Sequence, residues 1–355
     1  MDLHEIRTQI DLIDQHILRL LHQRMEFALR ARKQKTELTD RAREEAVLRN
    51  VINRATGLLE YPFVASLFQT IISESKEVQG KDLKLVGFQG EHGAWGDIAV
   101  RALGPNHVPV PSKEFIDVFT AVANKEIDYG VVPIENSIEG GINEVNDLLV
   151  ETDVRIISEV KVAVHQHLLV LPGTDYRELK VVYSHPQALA QCRAFLRRNK
   201  LEARPFYDTA GAAKWLAQER PQAAAVIASS LAADLYGLEV VKENIEDNAH
   251  NVTRFVQIAD KASADHGSNG NKCTLVFTTK HRASALFEVL KAFAENGINL
   301  TRIESRPMRK EPGVFAFLLD FLGNEHDSAV NGTLKRLRES TVSLKVLGFY
   351  QEAVQ

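Results

Sequence analysis

MDLHEIRTQIDLIDQHILRLLHQRMEFALRARKQK, residues Met1–Lys35, is the stretch that decides the reading of this chain. Leu3, Ile6, Ile10, Ile13, Ile17 and Leu20 step by three and four, and Phe27 and Ala31 resume the register, the heptad pattern of a helix packed along another helix. At about 1.5 Å per residue the helix runs roughly 50 Å, long enough to scaffold a dimer. Arg24 interrupts the apolar seam between Leu20 and Phe27. A guanidinium there demands an anion beside it. Arg24 and Lys35 face the same side within about 20° at roughly 100° per residue, whereas Arg7 lies about 100° away in azimuth and about 25 Å along the axis from Arg24. Taken alone, Arg7 and Lys35 read as flanking charges whose stems cover apolar surface. A small ligand touches both Arg7 and Arg24 only if one of them comes from an antiparallel partner chain.

The remaining composition sets bounds. A length of 355 residues suggests two or three domains, and 45% hydrophobic with 25% charged residues is a globular balance. The net charge of -4 argues against nucleic acid as a partner. Cys192 and Cys273 lie far apart with no metal-type spacing, which speaks against a disulfide framework or zinc site. With no basic start leading into an apolar run and no membrane-length apolar stretch, the expectation is a cytoplasmic protein without membrane contact.

Beyond the first helix, Thr36 to Asp40 breaks the pattern, a second helix is expected over Arg41 to Leu59, and Pro62 fits the first turn of a third. The third helix carries Val64, Leu67, Phe68, Ile71 and Ile72 on a face that continues into Ser75 and Gln79, where a solvated, fraying end is the plain alternative. From Leu83 the texture changes to short apolar runs, KLVGF, YGVVPI, RIISEV, HLLVL, LKVVY and AAAVIA. Helix candidates at Phe115–Asn124, Pro186–Arg198 and Thr209–Gln218 separate them, an α/β alternation with buried sheets. Asp260 to Asn271 reads as a linker, and the segment after it follows a β-α-β-β-α-β order.

Three polar clusters fall at strand ends, where α/β proteins place ligands. Glu135-Asn136-Ser137 runs into Gly140-Gly141, Ser184-His185-Pro186-Gln187 opens a helix carrying Gln191 and Cys192, and Asn251-Val252-Thr253-Arg254-Phe255 adjoins a strand. Singly, each has a structural reading: Ser184 as a helix cap, Asn136 as a turn residue, Cys192 as a small buried side chain.

Together, IRTQID with its helix, VVPIENSIEGG, YSHPQALAQC, NVTRF and INLTRIESRP, in this order, resemble the bifunctional chorismate mutase/prephenate dehydratases of phenylalanine biosynthesis that end in an ACT regulatory domain. The resemblance runs from about Leu3 to Tyr350. It implies a multidomain fold: an all-α, intertwined dimeric mutase over 1–80, a two-lobed α/β dehydratase over 81–259, a linker at 260–271 and an α+β ferredoxin-like ACT domain over 272–355. It also implies chorismate and prephenate as substrates, phenylalanine as effector, a homodimer or higher oligomer, and no cofactor or metal.

In the mutase the resemblance assigns Arg7 from the partner, Arg24, Lys35, Asp40, Arg43, Glu44, Ser75 and Gln79. The arginines and Ser75 would hold carboxylates, Lys35 and Gln79 the ether oxygen, and Glu44 the ring hydroxyl. A glutamine donates at any ordinary pH, so weak pH dependence near neutrality is expected. In the dehydratase it assigns Asn136, Ser184, Gln191, Thr253 and Arg254, with Glu135 nearby, Thr253 on the leaving hydroxyl and Arg254 on a substrate carboxylate. In the ACT domain it assigns Glu304, Ser305, Arg306 and Pro307 together with Ser284, Ala285 and Leu286.

Two departures stand out. A loop that in the family reads close to GPxGSYS is Gly90-Glu91-His92-Gly93-Ala94-Trp95-Gly96, which loses the proline and both hydroxyls and adds a carboxylate. The family's GAL is Ser284-Ala285-Leu286, a serine where glycine permits close approach. Arogenate in place of prephenate is an open alternative, and a non-catalytic amino-acid sensor a more distant one that leaves the mutase positions unexplained.

Overall fold

A computed structural model describes residues 2–35, 40–55, 57–262, 270–280, 282–308 and 313–353. The chain divides into two compact units: residues 1–85 with 105–108, and residues 86–104 with 109–355.

The first unit is helical, with α1 over Leu3–Lys33, α2 over Arg41–Arg54 and α3 over Tyr61–Gly80. Helix α1 stops two residues short of the expected Lys35, with Arg30, Arg32 and Lys33 in its last turn, where cations suit the helix dipole. The expected break at 36–39 lies outside the described residues. Asp40 caps α2, its Oδ1 accepting from the Arg43 N–H at 2.9 Å. Helix α2 ends five residues before the expected Leu59, at an extended Ala55 followed by Gly57 at φ +94°. By contrast, α3 stays regular through Gly80 and buries Ser75, so the polar end of its stripe is not frayed. Leu29, Val64, Ile71 and Ile72 are buried. The α1 seam is not: Leu3, Ile6, Ile10, Ile13, Ile17, Leu20 and Phe27 are each 43–63% exposed. So regular an apolar stripe left in water calls for a covering surface.

In the second unit the chain runs β1 (Lys84–Gln89, entering from the first unit), α4 (Trp95–Ala102), β2 (His107–Ser112), α5 (Phe115–Ala123), β3 (Tyr129–Asn136), β4 (Gly140–Gly141), α6 (Asn143–Glu151) and β5 (Val154–Ala163). A second lobe follows with β6 (His167–Val170), β7 (Val181–Ser184), α7 (Pro186–Gln191), α8 (Arg193–Arg198), β8 (Glu202–Pro205), α9 (Thr209–Glu219), β9 (Ala224–Ala228), α10 (Ser230–Tyr236) and β10 (Glu239–Lys242). The chain then returns as β11 (Val252–Asp260) into the first sheet, whose order is β2-β1-β3-β11-β5 with β4 on β3. The second sheet is ordered β10-β6-β9-β7-β8. Strand β11 pairs antiparallel with both β3 and β5 and is buried along most of its length, so Asn251–Phe255 ends up at the centre of the domain.

The expected helix Pro186–Arg198 is two helices broken at Cys192. Asp247 explains the break: its N–H donates to the Gln191 carbonyl at 2.6 Å and its carboxylate accepts from Ala194 N at 3.1 Å, capping the second piece.

The C-terminal part has β12 (Lys272–Thr278), α11 (Ala285–Glu295), β13 (Leu300–Pro307), β14 (Phe315–Leu322), α12 (Ser328–Ser340) and β15 (Ser343–Tyr350), in an antiparallel sheet ordered β13-β14-β12-β15. Of the expected linker, 263–269 lies outside the described residues. This sheet packs closely on β5. A Cβ at Gly348 would stand 2.1 Å from the Ile156 carbonyl oxygen, which only glycine allows.

Candidate active sites

In the helical unit, α1 and α3 bring Arg24, Ser75 and Gln79 together. Arg24 Nη1 donates to Ser75 Oγ and, at 3.5 Å, to the Ile71 carbonyl; Ser75 Oγ in turn bonds the same carbonyl at 2.8 Å. Among the described residues Arg24 thus meets neutral oxygens and no carboxylate. Burial pulls its pKa below the ordinary arginine value. Gln79 Nε2 donates to the Ala28 carbonyl at 2.8 Å, which leaves its second amide hydrogen for a ligand. Glu44 is held by Lys76 at 3.1 Å. Sequence reasoning missed Lys76, although it adjoins Ser75 on α3. Lys35 is half-buried beyond the end of α1, while Arg43 and Arg7 are exposed, Arg7 on the early turns of the helix, far along the axis from Arg24.

The second unit encloses a cavity of about 540 Å³. The starts of α4 (Trp95, Gly96), α5 (Glu114, Phe115), α6 (Ile142, Glu144), α7 (His185, Gln187) and α9 (Asp208, Thr209) all line it. Positive helix-dipole ends therefore meet at one space, though His185 and Asp208 already accept from N–H groups of α7 and α9, and Glu114, Glu144 and Asp208 place carboxylates in the same wall. Lys113 is the single lysine or arginine in that wall among the described residues.

Asn136, Gln191 and Thr253 line the cavity. Asn136 is both the turn residue and a site residue. Its Oδ1 accepts from the Ile138 and Glu139 N–H groups at 3.0 and 3.1 Å, and its Nδ2 donates to Thr253 Oγ1 at 2.9 Å and Asn251 Oδ1 at 2.6 Å. Because Thr253 Oγ1 accepts from Asn136, its own proton is left to donate. A bulge between Arg254 and Phe255 breaks the β11–β3 register beside this threonine. Gln191 bridges Gln166 and Glu139, each at 3.2 Å.

Three of the expected site residues lie outside the cavity lining. Ser184 is fully buried and donates to the Ile227 carbonyl at 2.6 Å, tying β7 to β9, so it neither lines the cavity nor caps α7. His185 caps that helix instead, with Nδ1 accepting from Gln187 N at 3.3 Å. Arg254 does not line the cavity: neighbouring strand residues point to opposite faces, and Thr253 takes the cavity side. Its guanidinium is buried against Glu135 (2.6 Å), Glu159 (2.8 Å) and Asp320 of β14 (2.5 Å). Burial opposes the charge, but these carboxylates, Asp320 foremost, outweigh it and raise the pKa. Glu135 likewise turns away from the cavity, to Arg254 and to Arg302 at 3.4 Å. Lys272 extends the cluster to Glu159 and Glu352, and Thr274 donates to Asp320 at 2.9 Å.

The altered loop keeps its shape through Gly90 at φ +115° and Gly93 at φ +89°; a Cβ on Gly93 would sit 2.8 Å from Ala232 Cα. The added Glu91 is neutralised by Lys214 at 2.9 Å and accepts from the Tyr207 hydroxyl at 3.3 Å. Asp208, in the wall behind it, caps α9 through Gly211 N at 2.6 Å, and burial together with the Glu91 charge pushes its carboxyl up. Asp208, Gln166 and Asn251 had been given no role by sequence. Their signals were faint: a capping aspartate before Thr209, and the first letter of NVTRF.

In the C-terminal domain, Glu304 and Arg306 face the dehydratase while Ser305 and Pro307 are exposed on the other side of β13. Arg306 pairs with Asp147 of α6 at 2.6 Å and bonds Asn143, and Glu304 reaches Gly141. The Asp147 hydrogen bond raises the Arg306 pKa. Ser284 precedes α11 at φ +66°, a left-handed conformation that glycine adopts without strain. Ala285 and Leu286 begin that helix.

Among the described residues no group of three or more acidic, histidine or cysteine side chains is placed to hold a metal ion, and no helix is long and apolar enough to cross a membrane. Family models match in series: chorismate mutase type II over residues 6–80, prephenate dehydratase over 86–263 and ACT domain over 275–339. The chain is 35% identical over 363 residues to the bifunctional chorismate mutase/prephenate dehydratase of Aquifex aeolicus, covering 99% of both. It is 38% identical over 302 residues to arogenate dehydratase/prephenate dehydratase 2 of Arabidopsis thaliana, covering 82% of this chain and 78% of that one. The prephenate dehydratase of Arthrobacter aurescens, solved with L-Phe, superposes with a TM-score of 0.69 at 30% identity, covering 76% of this chain and 90% of that one. Matched along nearly its whole length and in the same domain order, the chain belongs to the bifunctional chorismate mutase/prephenate dehydratase family and is an enzyme with both activities.

Proposed function

We propose that the chain converts chorismate to prephenate in the helical unit and prephenate to phenylpyruvate in the cavity, with phenylalanine inhibiting through the ACT domain. The proton left free on Thr253, at the wall of a cavity ringed by helix starts, carries this reading. The mutase step breaks and makes bonds within one dianion. It needs the enolpyruvyl arm held over the ring and stabilisation of the negative charge growing on the ether oxygen. Arg24, with no carboxylate beside it among the described residues, takes a substrate carboxylate; Lys35 and the spare Gln79 hydrogen serve the ether oxygen; Glu44 takes the ring hydroxyl. The exposed α1 seam supports an intertwined homodimer in which Arg7 of the partner subunit closes the site, with Asp40, Arg43 and Ser75 at its margin.

In the dehydratase step, carbon dioxide and water leave as the ring becomes aromatic. Thr253 donates to the departing hydroxyl, Asn136 holds Thr253, Gln191 belongs to the binding wall, and the helix starts with Lys113 hold the two carboxylates. We assign the domains to 1–80, 81–259 and 272–355. The Arthrobacter complex supports phenylalanine as the effector, with Ser284–Leu286 and Glu304–Pro307 as its site. Purified enzyme given chorismate should form prephenate and then phenylpyruvate, and phenylalanine should slow the second step. The Arabidopsis relative's name makes arogenate the competing substrate. Faster turnover of arogenate than of prephenate would overturn the substrate assignment.

A further inference from the structure

Asn251 stands immediately before β11, and Gln166 lies on the crossing from β5 to β6; the two segments are tied by Val164 N donating to the Asn251 carbonyl at 2.8 Å. Both side chains line the cavity, and the residues are only 1% and 2% exposed. Each amide is half used. Asn251 Oδ1 accepts from Asn136, and Gln166 Nε2 donates to Gln191 Oε1. The other halves, Asn251 Nδ2 and Gln166 Oε1, are buried with no hydrogen-bond partner. Buried polar atoms left unpaired are uncommon and costly, and two of them among the described residues, one donor and one acceptor, belong to side chains of residues that line the same cavity. Asn136 Nδ2 reaches both Asn251 Oδ1 and Thr253 Oγ1, so the Asn251 amide and the Thr253 hydroxyl stand side by side.

We propose that Asn251 is a catalytic residue, a second donor beside Thr253 to the hydroxyl that leaves, and that Gln166 accepts that hydroxyl's hydrogen. This rests on reading the cavity as the dehydratase site. In the reaction, the electron pair of the bond to the departing carboxylate moves into the ring and carbon dioxide is released. The electron pair of the carbon–oxygen bond leaves with the oxygen, which gains one proton from the medium and departs as water. Negative charge grows on that oxygen in the transition state, where a dry, fixed donor has its greatest effect. The acceptor holds the hydroxyl with its lone pairs toward the two donors.

Asn251→Asp tests this, because it keeps the Oδ1 acceptor for Asn136 and replaces only the donor. Near neutral pH its dehydratase kcat should fall about 10²–10³-fold, KM should also rise because the new carboxylate repels a dianion, and mutase turnover should stay intact. Activity should partly return as pH falls into the carboxylic acid range, since the protonated acid donates again. A role confined to orienting Asn136 would give near-normal kcat or a pH-independent loss, and either result overturns the proposal. Gln166→Met, which removes the acceptor together with the Nε2 bond to Gln191, gives a second reading: KM should rise at least about tenfold, and an unchanged KM would remove Gln166 from the site. If the unaltered enzyme fails to convert prephenate, the reading of the cavity itself falls. If it converts prephenate and Asn251→Asp does so equally well, only the present inference falls.

Discussion

The helical unit and the cavity treat a dianion in opposite ways. In the first, a half-buried arginine that meets no carboxylate among the described residues sits on a helix whose apolar seam faces water. In the second, five helix starts and one lysine close around a single space within one chain. One site carries its positive charge on a long side chain and is expected to need a second molecule to complete it. The other has a single lysine in its wall, so helix dipoles are the other positive contribution there, and it is built within one chain around β11. The lesson is that a net-acidic chain can prepare two anion sites, by isolating a cation or by aligning dipoles.

The sharpest way to break this comparison is to charge the seam. Ile10→Asp with Ile13→Asp should abolish mutase turnover and dimerisation together in a sedimentation and activity assay, leaving the dehydratase active. An active monomeric mutase would refute the need for a second chain. Next in size, Thr253→Ala should lower dehydratase kcat about 10²–10³-fold with the mutase untouched. If both activities fell together, the two sites would not be independent.

A smaller effect concerns what lies behind the cavity. Asp320→Asn removes one carboxylate from the buried Arg254 cluster and should destabilise the second unit by about 3 kcal/mol in a denaturant titration. No change would mean that Glu135 and Glu159 suffice for Arg254.

The smallest effect concerns Asp208. Its carboxyl is raised in the folded state, so as pH climbs above the ordinary carboxylate value the unfolded chain loses its proton first and folding is penalised. Asp208→Asn keeps the cap and escapes that penalty. Its thermal midpoint should match the parent at acid pH and exceed it at neutral pH, by a margin worth about 1 kcal/mol or less. Equal midpoints throughout would show that the Asp208 charge costs nothing.

The α1 seam and the C-terminal β-α-β-β-α-β order were legible because period and length alone specify them. Which side of a strand faces the ligand was not. Thr253–Ala259 is buried on both faces, so alternation gave no clue that Thr253 and Phe255 take the cavity while Arg254 turns to Asp320, 66 residues on. The burial of Ser184 was illegible for a related reason: its carbonyl partner, Ile227, belongs to a strand that pairs with its own only after the second lobe has closed. Asp247, which splits the helix at Cys192, is equally distant in sequence and invisible to local propensity.

The chain is modular to read but not to cut. Arg254 is the residue after the proposed catalytic threonine, and one of its three carboxylates belongs to β14, as Glu159 takes Lys272 of β12. Excising the terminal domain would strip a counter-charge from each, leaving Arg254 with two carboxylates and Glu159 without its lysine. A chimaera with a foreign regulatory module would have to import an acid at the position of Asp320 and a base at that of Lys272. Compatibility of interchangeable parts is thus written in buried charges rather than in the segment that joins them.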